Sequence, residues 1–159
     1  MEYLPRSRRS IWPAVIHCCL AFLGLAAVAT ADSFAVLEQP GHVLLLRHAN
    51  APGVGDPAGM NLADCSTQRN LDAAGRKQAS ELGRRLRDAG VTHARVYTSE
   101  LCRCRETARL LDIGPVESLA ALNSTVGRTE QQRATQMKAL REFLQKLPAD
   151  GGPVVLVTH

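Results

Sequence analysis

Val43-Leu44-Leu45-Leu46-Arg47-His48-Ala49-Asn50 joins four apolar residues to an arginine and a histidine, and a loop follows at once. A short continuous apolar run suits a fully buried strand of a parallel sheet, a pattern it shares with a buried helical segment. In an open α/β sheet, ligands bind beyond the carboxyl ends of the strands. Arg47 and His48 stand where such a strand would present them, and the pair suits an anion. The loop over 51–59 holds three Gly and two Pro. A long loop after such a strand carries function more often than core.

Outward from this stretch the chain alternates. Asp72 is read as an N-cap, because its carboxylate can accept an orphan backbone N–H. Ala79, Leu82 and Leu86 form the apolar stripe of the helix that follows. Arg76, Lys77, Arg84, Arg85 and Arg87 fall mostly on its solvated side, and Gly90 stops it. Val96 and Tyr97 centre a second strand. Ser99 opens a second helix with Leu101, Cys104, Ala108 and Leu111 buried, and Gly114-Pro115 breaks it. Residues 116–119 form a short third strand. Residues 128–147 form a third helix with Ala134, Met137, Leu140 and Leu144 on one face. A turn over 148–153 leads to the last strand, 154–157, followed by Thr158 and His159. His42 and His93 read as strand-edge and surface residues. This alternation points to an α/β fold with a mainly parallel sheet and crossover helices.

The formal charge of +4 owes part of its size to the N-terminus. Arg6, Arg8, Arg9 and Glu2 precede an uncharged run over 11–31 that ends Ala29-Thr30-Ala31. A charged start, apolar middle and small-residue exit make a secretory signal peptide, cut after Ala31, with Ala29 as the other option. A retained signal-anchor is the alternative, since the uncharged run is long enough to span a bilayer. Without residues 1–31, Lys+Arg falls from 19 by 3 to 16 and Asp+Glu from 15 by 1 to 14, a net charge of +2. Such a weak charge, with 4% aromatic residues, gives no support for a nucleic-acid partner. After signal cleavage no membrane association is expected, and the protein is placed as exported, periplasmic or secreted. Cys65, Cys102 and Cys104 remain, in a compartment where disulfides persist. Cys65 is expected to pair with Cys102 or Cys104, with free buried thiols as the alternative. No Cys or His spacing suggests a metal site.

Three strand ends carry similar equipment: Arg47-His48 at the first, Ser99 with Arg103 a turn later at the second, and His159 at the last. In a parallel sheet these ends share one edge. Arginine forks and helix N-termini hold phosphate oxygens, so a phosphate pocket is the economical reading.

Four blocks resemble the histidine phosphatase superfamily, in its phosphoglycerate-mutase-like branch. Leu45-Leu46-Arg47-His48-Ala49 resembles its Arg-His-Gly signature. Leu71-Asp72-x-x-Gly75-x-x-Gln78-Ala79, Tyr97-Thr98-Ser99-Glu100-Leu101-x-Arg103-x-x-x-Thr107-Ala108 and Val155-Leu156-Val157-Thr158-His159 resemble its three later motifs, in order. The resemblance covers nearly all of residues 42–159. It implies a three-layer α/β/α fold with a mainly parallel central sheet. It further implies a phosphomonoester hydrolase with no cofactor and no metal, acting on a small phosphorylated substrate. His48 would be the nucleophile, and Arg47, Arg103 and His159 would bind the phosphoryl oxygens.

Two departures stand out. The family places a carboxylate after the third strand as general acid. Here Glu117 is the only carboxylate of that neighbourhood and sits early, while Asn123 occupies the nearer position. Glu117 is taken as the acid, with Asp56 and Asp64 as alternatives on the loop after His48. Family members also continue past the second histidine with a further helix and strand. The domain, 32–159, is therefore expected to be incomplete at its C-terminus, poorly active and less stable than a longer relative. A non-catalytic phosphate-binding relative, a protein phosphohistidine phosphatase and a phosphoglycerate-mutase-type phosphotransferase are the rival functions.

Overall fold

Four parallel strands set the frame: β1 (Val43–Arg47), β2 (Arg95–Thr98), β3 (Val116–Ser118) and β4 (Val154–Thr158), in the spatial order β1-β4-β2-β3. A computed structural model describes residues 33–159 of the chain. The signal-peptide expectation, for residues 1–31, lies outside the described residues. Between the strands run α1 (Ala73–Asp88), α2 (Cys102–Leu111) and α3 (Glu130–Gln145), with short 3-10 turns at Ser33–Glu38, Cys65–Thr67 and Ala120–Leu122.

The helices form for local reasons. Asp72 accepts the Gly75 N–H at 2.6 Å and caps α1, as its position before an apolar-periodic run predicts. Gly90, at φ +97°, takes the left-handed turn that ends it. Thr129 and Gln132 exchange side-chain and backbone hydrogen bonds as a capping box at the start of α3.

Two faces of the sheet are covered, which gives the three layers. On one, Val96, Val155 and Val157 pack with Leu86, Leu101, Cys104, Ala108, Leu111 and Ile113 beneath α1 and α2. Full burial of an aliphatic side chain of this size contributes about 1.5–3 kcal/mol. Gly83 is where α1 meets the end of α2: a Cβ there would collide with the Leu111 carbonyl oxygen. On the other face Val154, Leu156 and Tyr97 pack with Leu122, Leu140, Phe143 and Leu147 beneath α3. Tyr97 and Phe143 meet edge to face, centroids 4.7 Å apart.

Three expectations need correction. The apolar run of β1 suggested burial on both sides, but β1 is an edge strand, and Leu45 is 61% exposed. The strand buried on both faces is β4, the central one. The second helix begins at Cys102 rather than Ser99. Ser99 instead carries the hydrogen-bond ladder one residue past β2, its N–H bonded to the Val157 carbonyl at 3.0 Å. The side chains of α3 that pack inward are Leu140 and Phe143, joined by Leu147 just beyond its end. Ala134 is exposed, and Met137 and Leu144 are each 37% exposed. Leu144, with Leu140, Val43 and Leu45, lines a groove of about 460 Å³.

Candidate active site

β1 delivers His48 to the carboxyl edge of the sheet. The ladder runs one residue beyond the strand, with the His48 N–H bonded to the Thr158 carbonyl at 2.8 Å. After it, each residue is fastened to a different element. Ala49 N–H donates to Thr107 Oγ1 of α2 at 3.0 Å, and that hydroxyl donates to the Arg103 carbonyl at 2.7 Å. Asn50 N–H donates to Gln78 Oε1 of α1 at 2.9 Å, and Asn50 Nδ2 to the capping carboxylate of Asp72 at 3.0 Å. Gly75 lies so close that a Cβ would collide with the Asn50 carbonyl. Ala49, Ala51, Leu71 and Ala79 close the remaining space. The spacing Leu71-Asp72-x-x-Gly75-x-x-Gln78-Ala79 is therefore a cradle for the backbone after His48.

His48 is buried, with Nδ1 2.7 Å from the Ala49 carbonyl oxygen. A carbonyl only accepts, so Nδ1 carries the proton and Nε2 keeps its lone pair. The His159 ring lies edge-on to it, centroids 6.0 Å apart. His159 Nε2 is 3.0 Å from Ser99 Oγ, which also accepts the Leu101 N–H. Arg103, from the first turn of α2, is 4% exposed and is held by Asp56, which is 15% exposed. Its Nη1 and Nη2 donate to the two carboxylate oxygens at 2.7 and 3.1 Å. Asp56 also accepts the Arg69 N–H at 3.1 Å. Arg69 donates from Nε to the Gly55 carbonyl at 2.9 Å and from Nη1 to the Ala51 carbonyl. Arg47, His48, Asn50, Gly53, Arg69 and Gln78 line a polar cavity of about 500 Å³.

Charge and burial act together here. Burial, then the nearby Arg103, Arg47 and Arg69 guanidinium groups, lower the His48 pKa below its ordinary value, and the hydrogen bond to Ala49 opposes this. Burial, then Arg103 and His48, push His159 down to about 4. Both imidazoles are neutral at pH 7. Burial alone would raise the Asp56 carboxyl, but hydrogen bonds from Arg103 and the Arg69 amide outweigh it and hold the group below the usual carboxylate range.

Of the residues singled out from sequence, Arg47, His48, Arg103 and His159 share this edge. Glu117 lies within β3, opposite Tyr97, with its side chain exposed. Asp64 caps a 3-10 turn, accepting from both Ser66 N–H and Oγ. Neither faces the cluster through a hydrogen bond among the described residues. Asp56 does reach it, but as an ionised partner of Arg103. Cys65 and Cys102 are joined in a disulfide, Cα atoms 5.6 Å apart, and Cys104 is a buried free thiol. Among the described residues no group of three His, Cys, Asp or Glu side chains is arranged to hold a metal ion. Two features escaped sequence reasoning. Arg69 could have been found as the arginine directly preceding the α1 cap motif. Glu100, beyond β2, is clasped by Asn123, which accepts its N–H at 2.8 Å and donates to its carboxylate at 2.5 Å.

A parallel α/β/α sheet whose carboxyl edge gathers two neutral histidines and three arginines defines an anion-binding α/β protein of enzymatic type. The sequence model of the histidine phosphatase superfamily (branch 1) matches residues 43–152, and the chain belongs to that family. A curated relative is the mitochondrial serine/threonine-protein phosphatase Pgam5 of Drosophila grimshawi, 33% identical over 76 residues. That match covers 48% of this chain but only 24% of the relative, so the chain spans about a quarter of its length. Among solved structures, mycobacterial hydrolase 1 superposes with a TM-score of 0.52 at 18% identity, covering 74% of this chain and 72% of that one. A mycobacterial glucosyl-3-phosphoglycerate phosphatase in complex with inorganic phosphate gives 0.50 at 19% identity, with the same coverage of 74% and 72%. At these identities the likeness establishes the fold.

Proposed function

We propose that the protein is an exported, metal-independent phosphomonoester hydrolase acting through a phosphohistidine on His48. The observation that carries this is the His48 tautomer: Nδ1 is committed to the Ala49 carbonyl, so Nε2 is a neutral nucleophile beside Arg47, Arg69 and Arg103. In the first step Nε2 attacks phosphorus, the P–O ester bond breaks, and the leaving oxygen departs with its electron pair and takes a proton from solvent. The ring gains positive charge as the P–N bond forms, which strengthens the Nδ1–H bond to Ala49. Arg47, Arg103 and His159 stabilise the charge spreading over the phosphoryl oxygens. In the second step water attacks phosphorus, the P–N bond breaks, and phosphate leaves with His48 restored. Export is supported by the disulfide, a bond that persists in oxidising compartments.

The test is trapping by a rapid alkaline denaturing quench, with a radiolabelled aryl phosphate in the presence of EDTA. Label stable to base and labile to acid, and mapping to His48, is expected. Absence of label under conditions of turnover would overturn the phosphohistidine route. A non-catalytic phosphate binder is the second reading, favoured by Glu117 standing exposed within β3. It would show phosphate binding with neither label nor turnover.

The pH dependence has a definite sign. A proton on His48 blocks attack, and its pKa in the fold is below the ordinary 6.5. Activity on an aryl phosphate, corrected for the ester's own second ionisation, is therefore expected to persist below pH 6.5 and to fall as pH drops through the depressed value. The same two imidazoles favour the folded state above about 6.5, and this contribution is lost toward His159's value of about 4. An acid limb centred at or above 6.5 would contradict the assigned environment.

A further inference from the structure

Asp56 stands beside the site, on Arg103, as an anion supplied by the protein itself. Its two oxygens take both Nη groups of Arg103, and one of them also takes the Arg69 N–H. Guanidinium forks and backbone amides are the donors that hold phosphoryl oxygens. Arg103 thus has its end-on fork filled, while its buried Nε has no hydrogen-bond partner. A phosphoryl group arriving beside His48 meets an arginine already neutralised, with a fixed negative charge next to it.

We propose that Asp56 is an internal competitor of phosphate: in the free protein it occupies Arg103, a bound phosphoryl group displaces it, and it thereby sets how tightly the pocket holds phosphate. The inference rests on the phosphatase reading only in placing the phosphoryl group among Arg47, His48, Arg103 and His159. The segment that carries Asp56 is rich in glycine and is tied to Arg69. Gly53 and Gly55 precede Asp56 at φ +92° and +71°, and Gly59 follows at +81°. Space is open around Gly55 and Gly59. With Asp56 in place the three arginines near His48 (Arg47, Arg69 and Arg103) carry a net +2 rather than +3, and its displacement restores the full charge when a dianion is present to use it. Weak retention of product phosphate follows from the same competition.

Binding of inorganic phosphate tests this without any need for turnover. Titration calorimetry would compare the wild-type protein with Asp56→Asn, which keeps the shape and removes the charge. At least about ten-fold tighter phosphate binding is expected, the scale of one unit charge acting on a nearby dianion in a partly buried site. Unchanged or weaker binding by the folded variant would overturn the proposal and make Asp56 a support for Arg103. Absence of phosphate binding by both proteins would overturn it too. In the wild type, phosphate is expected to shift the backbone amide resonances of residues 53–59 together with that of Ala49. A shift at Ala49 with residues 53–59 unmoved would sink the idea, whatever the variant does. Failure of the phosphatase reading looks different: Asp56→Asn would still tighten phosphate, and no phosphohistidine would form.

Discussion

His48→Ala is expected to lower turnover of an aryl phosphate by on the order of 10⁴- to 10⁶-fold, the scale of losing a covalent nucleophile. No neighbouring side chain can take over. His159 is neutral, but its Nε2 is engaged with Ser99, and its ring sits edge-on to His48 rather than in its place. The arginines remain in the variant, so affinity for inorganic phosphate is expected to fall by less than about ten-fold, which separates binding from chemistry. The imidazole makes only a local hydrogen bond to Ala49, so the thermal midpoint is expected to stay close to that of the wild type. A loss of turnover smaller than about a hundred-fold in kcat/KM would remove His48 from the nucleophile's role.

The second large effect is on stability. Cys65–Cys102 closes a sequence separation of 37 residues. Opening it, by reduction or by Cys65→Ser with Cys102→Ser, is expected to cost about 4 kcal/mol by the chain-entropy relation. That corresponds to a thermal midpoint lower by on the order of 10 °C for a domain of this size. The bridge ties the loop that carries Gln68 and Arg69 to the first turn of α2, which carries Arg103. Gln68 reinforces the tie, accepting the Cys102 N–H at 2.9 Å and donating to the Asn61 carbonyl at 2.8 Å. Urea unfolding of oxidised and reduced protein measures the difference. A change below about 1 kcal/mol would show that the loop is already fixed by these polar contacts.

The fold was legible because each element announces itself locally. Asp72 and Gly90 bound α1, Gly114-Pro115 follows α2, and the strands are short apolar runs between turn residues. What a local pattern cannot carry is neighbour order. The run of β1 is as apolar as that of β4, yet one strand lies at the edge and the other at the centre. The same limit rotated the predicted face of α3, since which strands it covers decides which side chains turn inward. Ser99 misled for another reason. It has the residue type of an N-cap, but its hydroxyl is shared between the Leu101 N–H and His159, and the helix waits until Cys102. Within the site, the four residues Arg47, His48, Arg103 and His159 were legible from their positions at strand ends. The ion pair of Arg103 with Asp56 and the reach of Arg69 were not, because loop residues far apart in sequence carry no periodicity to relate them.

The strand order has a kinetic consequence. β1 and β2 do not pair; β4, which follows both along the chain, lies between them and pairs with both. While the chain is being made, β1 therefore waits with its backbone groups unpaired until residues 154–158 have been added. Loop closure over that length is slow relative to the local folding of helices. The pairing of β1 and the meeting of His48 with His159 are therefore one event, which follows the synthesis of α1, α2 and α3.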